Sequence, residues 1–194
     1  MARPKQFDPD VALDRAMHTF WTHGYAGTTP QRLVDDLGIG RGSLYGTFGS
    51  KDELFARALD RYRASSSQAV VDALAGAGTG AERLRAAMAA VAHALASGPP
   101  GCLLTTTAVE LAPSDERVAT AVAETLESQR AAFEQVVADG VHDGSLVPGL
   151  DPLTTATWLL ATTNGLQVLA RTGTDADRLV AVLTHAVDVL SPAA

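Results

Sequence analysis

The stretch from Thr28 to Lys51, TTPQRLVDDLGIGRGSLYGTFGSK, decides the fold because it predicts two short helices joined by a tight glycine turn. Pro30 suits the first position of a helix, since its ring fixes φ and its missing N–H would have no helical partner there. Apolar residues at helical spacing follow, and Gly38 can adopt the left-handed conformation that ends a helix. We therefore predict a short helix between Pro30 and Gly38.

A second short helix is predicted after the turn, from Arg41 to Phe48. Leu44 and Phe48 lie four positions apart and face inward, so the polar side chains around them face outward. Ser50 then caps a longer helix, in which Glu53 completes a Ser-x-x-Glu capping box. Two short helices, the second presenting Arg, hydroxyls and Tyr, are typical of a helix-turn-helix whose second helix enters the major groove of DNA.

The segment from Gly24 to Leu54 resembles the DNA-binding domain of the TetR family of bacterial transcriptional regulators. The matching residues are Gly24-Tyr25, Thr28-Thr29, Leu33-Val34, Leu37-Gly38-Ile39, Gly42-Ser43-Leu44-Tyr45, Phe48 and Ser50-Lys51-Asp52-Glu53-Leu54. The resemblance implies a helix-turn-helix domain at residues 1–50, which a fourth helix at 51–75 connects to an effector-binding and dimerisation domain at 51–194. It also implies a DNA-binding transcriptional regulator, by default a repressor that an effector releases from its operator.

Apolar residues at helical spacing, without strand-like alternation, predict an all-α chain of about nine helices. The expected helices are 9–23, 30–37, 41–48, 51–75, 79–96, 102–111, 114–139, 151–171 and 175–190, with a loop at 140–150. Helices 8 and 9 are the most apolar, so we expect a second copy of the chain to cover them. The resemblance implies the same homodimer, in which the last two helices of each subunit pair around a two-fold axis.

Charge is distributed unevenly along this chain of net charge −7. Residues 1–63 hold nine Lys/Arg and eight Asp/Glu, whereas residues 64–194 hold six and fourteen, so only the N-terminal part can present a basic face to phosphates. The polar N-terminus and the lack of an apolar run of about 20 residues predict a cytoplasmic protein without a membrane segment. One cysteine, Cys102, excludes an internal disulfide and a cysteine-based zinc cluster.

The partner expected for the N-terminal part is double-stranded DNA with a pseudo-palindromic operator. The residues expected to contact it are Thr28, Thr29, Gln31, Arg41, Gly42, Ser43, Tyr45, Gly46, Thr47 and Lys51. The resemblance implies phosphate contacts for Thr28, Thr29, Gln31, Tyr45 and Lys51, and packing is the alternative for Tyr45. Arg41 suits a guanine edge and a phosphate equally well. Arg3 and Lys5 form either an arm that reaches DNA or a solvated tail.

Gly46 and Thr47 depart from the aromatic residue and the histidine that are frequent at those places in the family. Phosphate contacts at these positions are therefore expected to be weaker, and the operator sequence cannot be transferred from relatives. The resemblance thus predicts how the protein docks on DNA without predicting which bases it selects.

The resemblance implies a cavity for a small-molecule effector among helices 4 to 8. Candidate lining residues combine apolar walls with a few polar groups, and they are Met88, Val91, Cys102, Thr105, Thr106, Val109, Glu110, Phe133, Trp158, Thr162 and Asn164. Cys102 lies at the start of helix 6, where the helix dipole favours a thiolate. The Gly-Cys-Leu start also resembles a TetR branch in which some members sense electrophiles or oxidants, and an inert buried cysteine is the alternative.

No catalytic, metal or cofactor site is expected. Gly38-Ile39-Gly40-Arg41-Gly42 has the spacing of a dinucleotide fingerprint but follows a helix instead of a strand. The five histidines show no i, i+4 pairing with each other or with Cys102, and no Ser/His/Asp arrangement stands out. The alternative to a DNA-binding regulator is an effector-binding or adaptor protein of the same fold that does not bind an operator.

Overall fold

A computed structural model describes residues 7–192 of the chain, and within that range every regular secondary-structure element is a helix. The N-terminal helices are α1 (Pro9–Gly27), α2 (Pro30–Leu37) and α3 (Arg41–Phe48). Helix α4 is continuous through Lys51–Tyr62, a π-helical turn at Arg63–Ser67, and Gln68–Leu74. The remaining helices are α5 (Gly80–Ser97), α6 (Leu103–Glu110), α7 (Glu116–Asp143), α8 (Pro152–Arg171) and α9 (Ala176–Asp188). The expected all-α fold of about nine helices is confirmed for the described residues.

The helix-turn-helix packs on α4 through an apolar cluster. Leu33 of α2 and Leu44 of α3 are fully buried there, and Phe20 of α1 meets the ring of Phe55 edge-on with centroids 5.0 Å apart. The same cluster continues into α6 and α7 through Leu103, Leu104 and Val122. The three N-terminal helices therefore share one core with the start of the larger helical part.

A second apolar cluster joins α5, α7, α8 and α9. Its best buried members include Leu84, Phe133, Leu159 and Leu183, each no more than 1% exposed. Helix α7 lies between the two clusters, since Val122 belongs to the first and Phe133 to the second. Movement along α7 would therefore disturb both cores, because packed interiors transmit strain.

The predicted bounds of helix 7 were wrong at both ends. Asp115, not Ser114, caps its start by accepting from the N–H groups of Arg117 and Val118. The helix continues past Asp139 to Asp143, so Gly140 is helical and does not open the expected loop. The physical reason is close packing, since a Cβ on Gly80 would lie 2.3 Å from the Cα of Gly140. Gly140 is thus a contact point between α5 and α7.

Two other helices depart from the predicted pattern. Helix α1 was expected to end near His23 but continues to Gly27 across a break at Gly24, which has φ +71° and ψ 175°. Helix α4 was expected as one helix at 51–75, and it contains the π-helical turn, where the Ser65 hydroxyl donates to the Arg61 carbonyl at 2.9 Å. Such turns widen a helix locally and are frequent at functional sites.

The outer faces of α8 and α9 are apolar and uncovered. The exposed large side chains there are Leu153, Trp158, Val168, Leu169, Val180, Val182 and Val189. Between Pro152 and Ala170, α8 carries no charged residue. None of the helices described is both long enough and apolar enough to span a bilayer.

Candidate nucleic-acid interface and effector cavity

The outer side of α3 is open to solvent at its N-terminal end. Arg41, Gly42 and Ser43 are exposed, whereas Leu44 and Phe48 are buried and hold the helix on the core. Within residues 7–192, no hydrogen bond or ion pair engages the side chain of Arg41 or Ser43, and the Arg41 guanidinium lies 6.0 Å from the ring centre of Tyr45. This end of α3 therefore presents a cation and a hydroxyl that are available to a partner.

Helix α2 contributes a capped N-terminus beside α3. Thr29 is exposed and its hydroxyl oxygen accepts from the N–H of Arg32 at 3.1 Å, which fixes the start of α2. Gln31 is also exposed, and its amide donates to Asp35 at 2.8 Å. The free N–H groups and dipole of a helix N-terminus favour phosphate oxygens.

Lys51 begins α4 beside these helices. Its ammonium nitrogen lies 3.9 Å from the ring centre of Tyr25, and the Tyr25 hydroxyl donates to Asp52. Burial, followed by the hydrogen bond to Asp52, raises the pKa of Tyr25 to about 12. Burial is also the main cause that lowers the pKa of Lys51. The Tyr25 ring thus holds the Lys51 cation at the edge of the interface.

A cavity of about 50 Å³ lies in the larger helical part, between α4, α5, α7, α8 and the start of α6. Its lining residues are Tyr62, Ser66, Ser67, Val70, Val91, Ala94, Cys102, Leu104, Gln129, Phe133, Thr163, Asn164 and Gln167. None of these side chains carries a formal charge. The Gln167 side-chain oxygen is buried and has no hydrogen-bond partner among the described residues.

Cys102 separates this cavity from a second, outer crevice. It is the N-cap residue of α6, and the Tyr62 hydroxyl donates to its sulfur at 3.2 Å. Burial, then the neighbouring Cys102, raises the pKa of Tyr62. On the other side, Cys102, Thr105, Thr106, Val109, Gln167, Val168 and Arg171 line a crevice of about 160 Å³. Cys102 therefore lines both spaces.

Comparisons with known proteins agree with this architecture. Residues 12–58 match the model described as bacterial regulatory proteins, tetR family, and residues 80–186 match the tetracyclin repressor-like C-terminal domain. The chain belongs to the TetR family. It is a DNA-binding transcriptional regulator.

Two similar proteins cover nearly the whole of this TetR regulator. The HTH-type transcriptional repressor ComR of Escherichia coli (strain K12) is 29% identical over 183 residues, which are 93% of this chain and 87% of ComR. The TetR family regulator CifR, solved as a cysteine mutant with a 26-bp operator DNA, is 31% identical with a TM-score of 0.83. That similarity covers 97% of this chain and 100% of CifR.

Most of the predicted DNA-contacting residues of this TetR regulator lie on one surface, but Thr28 does not. Its side chain is fully buried, and its hydroxyl donates to the Gly24 carbonyl at 2.7 Å, so it stabilises the turn after α1. The remaining predicted residues are exposed, apart from Tyr45, Thr47 and Lys51, which are half-buried. Arg3 and Lys5 lie outside the described residues.

The predicted effector residues of the TetR regulator do not converge on one cavity. Val91, Cys102, Phe133 and Asn164 line the inner cavity, whereas Thr105, Thr106 and Val109 line the outer crevice with Cys102. Met88 faces a third crevice, between α5 and α9. Trp158 is 42% exposed on the outer face of α8. Thr162 is half-buried and lines none of these spaces, because its neighbour Thr163 takes the inward position.

Glu110 was also expected in the cavity, but it contacts α1. Its carboxylate accepts from the N–H of Tyr25 at 2.8 Å. Sequence reasoning missed this contact and also missed the cavity residues Tyr62 and Gln167. For Gln167, the available signal was a polar side chain within the uncharged stretch of α8 from Pro152 to Ala170. Within residues 7–192 no group of three or more His, Cys, Asp or Glu side chains is arranged to hold a metal ion.

Proposed function

We propose that this TetR regulator is a homodimeric repressor that binds a pseudo-palindromic operator through α3 of each subunit. The observation that carries the proposal is the open α3 surface, where Arg41 and Ser43 have no partner among the described residues. The name of ComR as a repressor and the operator complex of CifR support it. Arg41 is proposed to contact a base edge or a phosphate, with Thr29, Gln31, Tyr45 and Lys51 on phosphates.

In vitro selection from a random DNA library tests operator binding directly. We expect the full chain to enrich a two-fold symmetric sequence, and its affinity to fall steeply with salt because each phosphate contact releases counterions. An Arg41→Ala variant should weaken operator binding without changing thermal stability. An adaptor protein of the same fold would enrich no sequence, and that result would refute the proposal.

A second copy of the chain is the proposed cover for the apolar faces of α8 and α9. Val168 and Leu169 are 51% and 47% exposed, and such a contiguous apolar surface is typical of an interface. The two-fold symmetry of the proposed operator requires the same dimer. Sedimentation should show a dimer at micromolar concentration, and a Val168→Asp variant should be monomeric. A wild-type monomer under these conditions would contradict the assembly.

A small uncharged molecule is the proposed effector of the inner cavity, which must widen from its volume of about 50 Å³ to admit it. The absence of formal charge among the lining side chains disfavours an ion, because a buried charge needs a compensating partner. The unpartnered Gln167 oxygen favours a ligand that donates a hydrogen bond. Uncharged compounds that raise the melting temperature of the wild type should lose this effect with a Gln167→Leu variant. Equal shifts in melting temperature for the wild type and the Gln167→Leu variant would exclude this cavity as the effector site.

Thiol modification at Cys102 is the alternative route of release. Cys102 lines both the inner cavity and the outer crevice, so a reagent that enters from either side reaches this residue. Iodoacetamide should lower operator affinity of the wild type and leave a Cys102→Ser variant unaffected. An equal loss of operator affinity in the wild type and the Cys102→Ser variant would show that Cys102 is not the site of this modification effect.

Residues 1–50 are proposed as the DNA-binding unit and residues 51–194 as the effector-binding and dimerisation unit, with α4 as the connection. As a regulator of bacterial genes, the protein is proposed to act in the cytoplasm. We assign it no enzymatic activity, since regulation requires only binding and a change of shape.

A further inference from the structure

The break in α1 removes a regular helical hydrogen bond at the point where the helix-turn-helix begins. Gly24 adopts φ +71° and ψ 175°, a conformation that L side chains rarely adopt. In a continuous helix the N–H of Tyr25 would donate to the carbonyl of Trp21, and the N–H of Ala26 to that of Thr22. At the break, Tyr25 instead donates to a side chain from another helix.

Two side chains of opposite charge occupy this break. Glu110, the last residue of α6, accepts from the N–H of Tyr25 at 2.8 Å. Arg171, the last residue of α8, donates from Nη1 to the Trp21 carbonyl at 3.0 Å and from Nη2 to the Thr22 carbonyl at 3.3 Å. The acid therefore accepts from the N–H that follows the break, and the guanidinium donates to two carbonyls that precede it. We call Glu110 and Arg171 the α1 clamp.

The local sequence leaves room for both members of the clamp. A Cβ on Gly24 would lie 2.4 Å from a carboxylate oxygen of Glu110, so only glycine permits this approach. Gly101, with φ +91°, likewise makes room for Arg171, because a Cβ there would lie 2.4 Å from the Arg171 Cγ. A carboxylate at the end of a helix also opposes the helix dipole. Glu110 thus occupies an electrostatically unfavourable position that its contact with α1 offsets.

The clamp connects the proposed DNA-binding unit to the walls of the effector cavity. Arg171 lies one helical turn after Gln167, a cavity-lining residue whose side-chain oxygen is buried without a partner among the described residues. Arg171 also donates to the Thr106 hydroxyl at 3.2 Å. Glu110 ends the helix that Cys102 begins. A shift of α6 relative to α8 would therefore pull on the two sides of the same break in α1.

We propose that Glu110 and Arg171 are positioning residues that fix the spacing between the two recognition helices of the dimer. They touch no DNA, and they act by holding the end of α1, and with it α2 and α3, against α6 and α8. Because α8 also carries the apolar face assigned to the dimer, the clamp joins each α3 to the two-fold axis. This inference rests on the proposed function of a dimeric operator-binding repressor.

Spacing of the operator half-sites is the property that tests the clamp. The operator selected in vitro by the wild type is compared with duplexes that have one base pair inserted or removed at the centre. Such a change moves the half-sites by about 3.4 Å and rotates them by roughly a tenth of a turn. Discrimination between the spacings is the ratio of the dissociation constants.

We expect Glu110→Ala and Arg171→Ala each to reduce this discrimination by about tenfold, the order of effect of one hydrogen bond to a charged group. Both side chains are exposed, so the variants should fold and sediment as the wild type does, with a melting temperature lowered by only a few degrees. Glu110→Gln retains an oxygen that accepts from Tyr25 and should preserve discrimination. Glu116→Ala removes an exposed acid whose side chain makes no hydrogen bond or ion pair in the described part of the chain, and it serves as the matched control.

Separate outcomes distinguish the clamp from the function on which it rests. If the wild type selects no DNA sequence, the proposed repressor function is itself refuted. If it selects an operator but both alanine variants discriminate between spacings as the wild type does, the clamp is refuted alone. An equal loss of affinity for all spacings would also refute it, because a general contribution to folding would act on every duplex alike.

Discussion

Lys51→Met gives a quantitative test of the proposed interface because it removes one cation from each subunit. In the absence of DNA the ammonium lies 3.9 Å from the ring centre of Tyr25, at the start of α4. Methionine keeps an unbranched side chain that can still pack on this ring. The loss of the cation–π contact should cost about 1–2 kcal/mol of stability at this half-buried site. The variant should therefore fold and form the same dimer.

The expected effect on DNA binding follows from the number of phosphates that Lys51 neutralises. One phosphate contact contributes about 0.9 to the slope of log K against log salt concentration, so two subunits contribute about 1.8. Between 50 and 200 mM salt, a slope of this size corresponds to about a twelvefold change in affinity. The wild type should lose about twelvefold more affinity than Lys51→Met across this range.

Fluorescence anisotropy with the selected operator at four salt concentrations measures these slopes. Arg85→Met also removes one positive charge per subunit, but it lies on α5, remote from the helix-turn-helix, and should leave the slope unchanged. If Lys51→Met binds more weakly than the wild type with an unchanged slope, Lys51 is a packing residue and the phosphate assignment is wrong. If both variants reduce the slope equally, the effect is one of net charge and not of contact.

Three further predictions concern stability. Phe133→Ala should lower the free energy of unfolding by about 3–5 kcal/mol in urea denaturation, because this ring is only 1% exposed in the second core; a loss below 1 kcal/mol would show that the site collapses. Ser50→Ala removes the capping box of α4 and should cost about 1 kcal/mol in thermal denaturation, whereas Ser50→Thr should cost less. The hydrogen bond from Arg83 is the main cause that lowers the pKa of Asp139. The folded pKa is below the unfolded value, so this stabilisation is present above about pH 4 and decreases as the pH falls through the folded pKa. Asp139→Asn should make the free energy of unfolding less dependent on pH in this acidic range, and an unchanged pH dependence would refute the assignment.

Elements specified by neighbouring residues were predictable from the sequence. The bounds of α2 and α3 match the expected ones, and α2 begins at Pro30 and is ended by its C-cap Gly38. Helix α4 likewise begins directly after its capping residue Ser50. The start of α8 at Pro152 was equally clear, since Asp151 caps it. In each case the decisive hydrogen bond spans no more than four residues, which is the range that a local pattern can describe.

Features that depend on distant residues could not be predicted in this way. The contact of Glu110 with Tyr25 spans 85 positions, and that of Arg171 with Trp21 spans 150. Apolar periodicity places α6 and α8 in the fold but does not determine which charged end meets α1. Gly140 was misinterpreted for the same reason, since its packing against Gly80 is invisible in the local sequence.

The small size of the α3 surface explains why geometry should control regulation in this protein. Its exposed N-terminal end presents one cation, Arg41, beside a glycine and a serine, so a single subunit can make few base contacts. Each good bidentate base contact contributes about 1–3 kcal/mol to discrimination, and only a dimer doubles the number of contacts. Operator recognition therefore depends on both α3 helices fitting the DNA at once. A small change at the α1 clamp would then weaken discrimination between operator spacings without altering any residue that touches a base.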